Sequence, residues 1–256
     1  MKVTPRGPAL EVHLGRPTKL NAMDADGWAA LRAAVERAER DPALRTVVIR
    51  GDERAFCAGN DITAMVDAHG RGAAIEYFVE GMLPTFTAMA TATVPIVSVV
   101  EGLAAGGGVE LLLFSDLVIA TPSARFGLPE THIGVWATVF VGASGATHTR
   151  RAGARLALTG EYIDTETALR LGLVTHACGI GEVNTVVDNV VAGIAAGASD
   201  AVARTKAWLN HDLVATGLPK CREALVELCE KTMSQPEYRE AVAAFTTRRT
   251  PPTESK

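Results

Sequence analysis

The chain has 256 residues, 48% apolar and 21% charged, with a net charge of -4 and a pI near 5.9. A chain of this length buries a sizeable core in one domain, or one domain plus an appendage, without disulfide or metal staples. The charge balance leaves no basic field for a nucleic-acid backbone, which argues against nucleic acid as a partner and requires any anionic ligand to be held by a local group of Lys, Arg and backbone N–H.

In chain order, MKVTPRGPALEVHLGR has no apolar stretch of the signal-peptide kind. Residues 9–14 (ALEVHL) and 46–51 (TVVIRG) read as strands, and the charged, Ala-rich MDADGWAALRAAVERAERD between them as an amphipathic helix. The β-α-β order recurs. Residues 95–102 (PIVSVVEG) form a buried strand by their β-branched run, GGGVELLLFSD a helix, and residues 117–120 (LVIA) another strand, which argues for an α/β core.

Further on, residues 165–171 read as helix and 174–177 (VTHA) as a short strand, and from about Ile180 the signals are helical almost to Thr247. Segments such as RTKAWLNHDLVATG and CREALVELCEKTM place apolar residues three and four apart, giving each helix a face to bury. The expected division is a core over 1–195 and a helical region over 196–256, with the polar, Pro-rich end RRTPPTESK frayed. The greasiest segment is broken by Glu101, Glu110 and Asp116 before it reaches the ~18 residues of a membrane helix, so no membrane span is expected. Cys57, Cys178, Cys221 and Cys229 make no CxxC and suit reduced thiols in a cytoplasmic protein, not a disulfide frame or a zinc site.

The chemistry begins at EGLAAGGGVELLLFSD, where Gly102, Gly106, Gly107 and Gly108 lie between a strand and a helix. No Lys follows as in G-x-x-x-x-G-K-[ST], and the spacing is not G-x-G-x-x-G. What remains is a tight turn that sets the N–H of Gly107 or Gly108 at a helix N-terminus, where it can stabilise an oxyanion. Glu110 in the first helical turn is either an acid favoured there by the helix dipole or a group working beside that hole. Glu130, after Pro129 in FGLPETHIG, falls in a loop behind the strand-like ARFG and is either a surface carboxylate or a second working acid. In RAFCAGND the chain turns through Ala58 and Gly59 into Asn60, as a second backbone donor requires. GASGA (142–146) approaches the nucleophile elbow G-x-S-x-G, with Ser144 central and His132, His148 and His176 elsewhere in the chain. Its last position is Ala146, and WATVFVGASGATHTRR reads as one small-residue helix where an elbow needs strand, turn and helix.

Taken together, FCAGND, EGLAAGGGVELLLFSD and FGLPE, preceded by GRPTKLNAM, resemble the enoyl-CoA hydratase/isomerase (crotonase) family from about residue 9 to the C-terminus. The resemblance implies an α/β crotonase-like spiral of β-β-α units with a helical C-terminal trimerisation region, in a homotrimer or homohexamer. It implies an acyl-CoA thioester as substrate, with coenzyme A part of that substrate and no separate cofactor or metal. Asn60 and Gly107 fall where the family supplies its two oxyanion N–H groups, Glu110 matches the base toward water and Glu130 the acid. The implied reaction is addition of water across the 2,3 double bond of a trans-2-enoyl-CoA, giving a 3-hydroxyacyl-CoA. The alternatives are a 3,2-enoyl-CoA isomerase using Glu130 alone, another CoA-thioester reaction of the family, or a non-catalytic acyl-CoA binder.

Around the substrate the resemblance places Lys19, Ala58, Asp61, Ile62, Met65, Gly106 and Gly108, with helix capping as the other reading of Asp61. Met65, Tyr77, Phe78 and Met82 are expected to wall an acyl slot, core packing being the alternative for each. Three departures stand out. Asn60 replaces a small or apolar residue and is expected to reshape the pocket. The Gly-rich PGxGG stretch is replaced by THIGVWATVFVGASG. NDITAM lacks the usual phosphate-binding lysine, leaving Arg16, Lys19, Arg248 and Arg249 as candidate cations for coenzyme A.

Overall fold

The computed structural model describes residues 1–67, 71–147, 150–233 and 235–249. Its strands in chain order are β1 (Lys2–Arg6), β2 (Ala9–His13), β3 (Thr46–Arg50), β4 (Ala55–Cys57), β5 (Ile96–Val100), β6 (Leu103–Ala105), β7 (Leu117–Ala120), β8 (Arg125–Gly127), β9 (Tyr162–Asp164) and β10 (His176–Ala177). The helices are α1 (Ala25–Arg40), α2 (Ile62–Asp67), α3 (Arg71–Ile75), α4 (Leu83–Thr91), α5 (Gly107–Leu113), α6 (Thr138–Thr147), α7 (Arg150–Thr159), α8 (Thr165–Arg170), α9 (Val183–Ala196), α10 (Ser199–Leu209), α11 (Leu218–Glu227) and α12 (Pro236–Arg249).

One sheet runs β1-β2-β3-β5-β7-β10 and the other β4-β6-β8-β9. Pairing is parallel except at one edge of each sheet, where β1 meets β2 and β8 meets β9 antiparallel. Every residue of β3 (TVVIR) and β5 (IVSVV) is buried, as expected of parallel strands covered on both faces. Side chains alternate along β3: Val47 and Ile49 enter the main core with Trp28, Leu31 and Val35 of α1, while Val48 meets Val183, Val187 and Val191 of α9 on the opposite face. The start of α1 is set by Asp24, whose side chain accepts the Gly27 N–H at 2.9 Å.

The chain steps from the first sheet to the second three times, β3 to β4, β5 to β6 and β7 to β8, each time turning next into helix. This is a spiral of β-β-α units. Its consequence for the site lies in the register, which sets Cys57 beside Ala104 and Ala105 beside Gly127. The turns leaving β4, β6 and β8 therefore emerge side by side on one edge.

Helices α10 to α12 close the other flank. The Lys206 ammonium of α10 is 3% exposed, pairs with Asp116 at 2.8 Å and donates to the Met89 and Val94 carbonyls at 2.9 and 3.0 Å, which fastens the C-terminal helices to the body. α11 crosses α6 at close range, a β-carbon on Gly142 falling 2.6 Å from the Cys221 nitrogen. Among the described residues no single helix is long and apolar enough to cross a membrane.

The anticipated α/β alternation and helical final third are both present. The strands β1, β6 and β9 were not anticipated, β1 because its side chains are almost all exposed and carry no apolar period. Ser144 lies inside α6, its hydroxyl donating to the Val141 carbonyl at 3.3 Å, so GASGA forms no strand-to-helix elbow; His148 and Ala146's side chain lie outside the described residues.

Two glycines separate steric need from tolerance. A β-carbon on Gly108 would stand 2.1 Å from the Cys57 carbonyl oxygen, whereas one on Gly145 meets nothing within 4 Å. Gly108→Ala is expected to destabilise by ~1–3 kcal/mol, and Gly145→Ala to stabilise by ~0.4–1 kcal/mol, as read from denaturant midpoints.

Candidate active site

The site is built where two of those turns touch. Gly59 (φ +92°) bends the chain after β4, and Gly106 (φ +54°) bends it after β6. A β-carbon on Gly59 would lie 2.9 Å from the Ala105 carbonyl oxygen and 3.0 Å from the Gly107 nitrogen, so glycine is required there by both conformation and space. Met23 clamps the first turn as an isolated parallel bridge to Asn60, its N–H donating to the Gly59 carbonyl at 2.8 Å and its carbonyl accepting from Asp61 N–H at 2.7 Å. That bridge turns the Asn60 N–H away from Met23. Gly107 opens α5, where a main-chain N–H has no intrahelical acceptor. The two amides are neighbours: a β-carbon on Gly107 would stand 3.5 Å from the Asn60 nitrogen.

The Asn60 side chain is held from the interior. Its Oδ1 accepts from the Trp28 indole N–H at 3.0 Å and lies 3.2 Å from the Tyr77 hydroxyl, which also reaches the Met23 carbonyl at 2.9 Å. Its carbonyl end is thus anchored in the interior.

Around these turns lies a cleft of about 780 Å³. Lys19, Ala58, Asn60, Asp61 and Ile62 line one side, and Gly106, Gly107 and Glu130 the other. Gly108 sits behind the wall, pressed on Cys57, and so contributes packing where substrate contact was expected. The Met65 side chain lies outside the described residues. Tyr77, Phe78 and Met82 are 8%, 2% and 1% exposed and pack in the main core, which corrects their expected place on the acyl wall. The apolar lining comes instead from Leu103, Ile133, Val135 and Tyr162, with His132 beside them. Leu103 comes from β6, Tyr162 from β9, and His132, Ile133 and Val135 from the turn Pro129–Ile133 and the residues just after it, and no periodicity announced it.

Among the candidate cations, Arg16 is already engaged. It donates to the Ala22 carbonyl at 2.7 Å and to Asp61 at 2.9 Å, and pairs with Asp24 at 3.1 Å. Asp61 in turn caps α2 by accepting the Thr63 N–H at 3.0 Å. Burial opposes its charge, but the Thr63 amide, Arg16 and Lys19 outweigh that and hold its carboxyl below the usual range. Lys19, half exposed, stands at the cleft with Nζ 3.5 Å from Thr63 Oγ1. The side chains of Arg248 and Arg249 lie outside the described residues.

The two glutamates are held differently. Glu110, 3% exposed, lies behind the Gly107 turn, and its Oε1 accepts the Val139 and Phe140 N–H groups of the first turn of α6, both at 3.0 Å. Burial pushes its pKa up despite those two donors. Glu130 rides the 3-10 turn Pro129–Ile133, which places Oε1 3.0 Å from where a β-carbon would stand on Gly106. Its Oε2 is buried without a hydrogen-bond partner among the described residues. Burial, and then the charge of Glu110, push its pKa up.

Residues 7–256 match the family model described as enoyl-CoA hydratase/isomerase. A Rhizobium meliloti (strain 1021) protein named "Probable enoyl-CoA hydratase" is 36% identical over 174 residues, 64% of this chain and 63% of that protein. The mitochondrial 3-hydroxyisobutyryl-CoA hydrolase of Gallus gallus is 33% identical over 174 residues, 67% of this chain and 45% of the hydrolase. The chain therefore spans less than two thirds of the length of these relatives. Among solved structures, an enoyl-CoA hydratase from Mycobacterium avium subsp. paratuberculosis K-10 superposes with a TM-score of 0.84 at 28% identity, over 99% of this chain and 98% of that one. On sequence and fold together, the chain belongs to the enoyl-CoA hydratase/isomerase family.

Proposed function

We propose that the protein is an enoyl-CoA hydratase, adding water across the 2,3 double bond of a trans-2-enoyl-CoA to give a 3-hydroxyacyl-CoA. One observation carries this reading: two buried carboxyl groups with unequal hydrogen bonding stand beside two neighbouring main-chain N–H groups. The thioester oxygen would sit between the Asn60 and Gly107 amides, where enolate charge grows during attack at C3. One such donor is typically worth ~3 kcal/mol of barrier. Two amides favour the charged form of Glu110, while Glu130 Oε2 has no donor among the described residues and Glu130 feels the charge of Glu110, so the proton is held more tightly on Glu130 than on Glu110. Glu110 then activates water as base, and Glu130 delivers the proton to C2.

Lys19 is the cation best placed for the coenzyme A phosphates. Exposed Trp208 and Leu209 on α10 support reading the C-terminal helices as contacts between copies, in a homotrimer or homohexamer. The four free thiols support a reducing, cytoplasmic setting.

A second reading is favoured by the fact that Glu130 lines the cleft while Glu110 lies behind it. A 3,2-enoyl-CoA isomerase needs one carboxyl to carry a proton between C2 and C4, and Glu130 suffices. The two readings part on one assay. Purified protein with a trans-2-enoyl-CoA is expected to erase the conjugated ultraviolet band and yield a product heavier by one water. With a 3-enoyl-CoA and no gain of water, a rising conjugated band would favour the isomerase.

Glu110→Gln and Glu130→Gln are each expected to lower kcat by ~10²–10⁴ while leaving the affinity for a saturated acyl-CoA near that of the parent, as calorimetry would record. Hydration at the parental rate by Glu110→Gln would remove it from the mechanism.

The pH dependence follows from the shared proton. Acid protonates Glu110 and removes the base; alkali strips Glu130 and removes the acid. The kcat profile should be bell-shaped, with both limbs above 4.5, the ordinary glutamate value, because burial raises both groups. An acid limb at 4.5 or below would contradict the burial of Glu110.

A further inference from the structure

The Asn60 side chain carries a donor left unused among the described residues. An indole N–H can only donate, so the Asn60 atom 3.0 Å from Trp28 Nε1 is the oxygen. The carboxamide is therefore fixed in one orientation, by an indole and a phenol that are themselves buried. Its Nδ2 lies at the other end of the carboxamide from that brace, on the side of Gly107, and both Asn60 and Gly107 line the cleft. There Nδ2 stands 3.4 Å from the position a β-carbon would take on Gly107, and the Asn60 main-chain nitrogen stands 3.5 Å from the same point. Among the described residues no acceptor is recorded for Nδ2, although an asparagine braced purely for packing would ordinarily spend its N–H groups on protein oxygens.

We infer that Asn60 Nδ2 is a third hydrogen-bond donor to the thioester carbonyl oxygen, beside the main-chain N–H groups of Asn60 and Gly107. The inference rests on reading the cleft as an acyl-CoA thioester site. It makes Asn60 a catalytic residue by its side chain as well as its backbone. Trp28 and Tyr77 become positioning residues, holding the carboxamide ready so that little reorganisation is needed as charge develops. The donor is useful only to a substrate whose carbonyl oxygen gains negative charge at this corner of the cleft.

The test is Asn60→Asp, which keeps an oxygen for Trp28 and Tyr77 and nearly the same shape, but replaces the donor with an acceptor. Two readouts are taken on the full-length protein: kcat and KM with a trans-2-enoyl-CoA, and the infrared carbonyl stretch of bound butyryl-CoA labelled with carbon-13 at the thioester carbon. The expected result is a ~10²-fold loss in kcat together with a carbonyl stretch moved back toward its value in water, at an unchanged melting temperature. An unchanged kcat and an unchanged stretch would reduce Asn60 to a strut and overturn the inference. Should the aspartate variant fail to fold, Asn60→Ala carries the same test, since both main-chain donors remain: a stretch identical to the parent's overturns the inference, and a partial return supports it. A parent protein that polarises the bound carbonyl through Asn60 yet adds no water would instead overturn the hydratase reading and leave this inference standing.

Discussion

Everything at the cleft depends on two backbone turns lying in contact. The turn after β4 and the turn after β6 approach so closely that a single methyl on Gly59 would run into the Ala105 carbonyl and the Gly107 nitrogen. Parallel pairing of β4 with β6 brings the turns to the same edge, positive φ at Gly59 and Gly106 bends them, and the bridge from Met23 fixes which way the Asn60 amide points. The result is two neighbouring main-chain donors whose position is set by the sheet and by no flexible side chain. Such donors need little reorganisation when charge appears between them.

The carboxyl pair depends on the same geometry one layer further in. α5 begins at the second turn, so Glu110 in its first turn is carried behind the cleft wall, where α6 offers its opening amides to that carboxylate. Its N-terminus has few better uses, because the first amides of a helix lack internal acceptors. Glu130 arrives from the third β-β-α unit on the cleft side, with an oxygen that no described residue satisfies. Two acids so close and so buried cannot both ionise at ordinary cost, and the asymmetry of their donors decides which one keeps the proton.

Much of this could be read from the residues in order. β3 and β5 announce themselves because strands buried on both faces must be β-branched and apolar throughout, and α1 because its apolar residues recur at helical spacing. The glycines at 106 to 108 fit neither phosphate-loop template, and the acids at 110 and 130 gain roles only through the joint resemblance of FCAGND, EGLAAGGGVELLLFSD and FGLPE to the family. The second sheet was harder, since β4, β6 and β8 have three residues each, too few to show a period. Hidden altogether were contacts between distant segments: the Trp28 brace on Asn60 is separated by 32 residues, and the Val139 donor to Glu110 by 29. The misplaced acyl wall has a related cause. Spacing shows that Tyr77, Phe78 and Met82 share an apolar face, but not whether that face looks into the core or into the cleft.

The most direct measurement of the central claim is the position of deuterium in the product formed from a trans-2-enoyl-CoA in heavy water, read by nuclear magnetic resonance. Water activated at one carboxyl and a proton delivered from the other predict one deuterium at C2 and one hydroxyl at C3 of the same molecule. Deuterium at C4 with no oxygen added would leave Glu130 working alone, and release of free coenzyme A with no change at C2 or C3 would contradict the account.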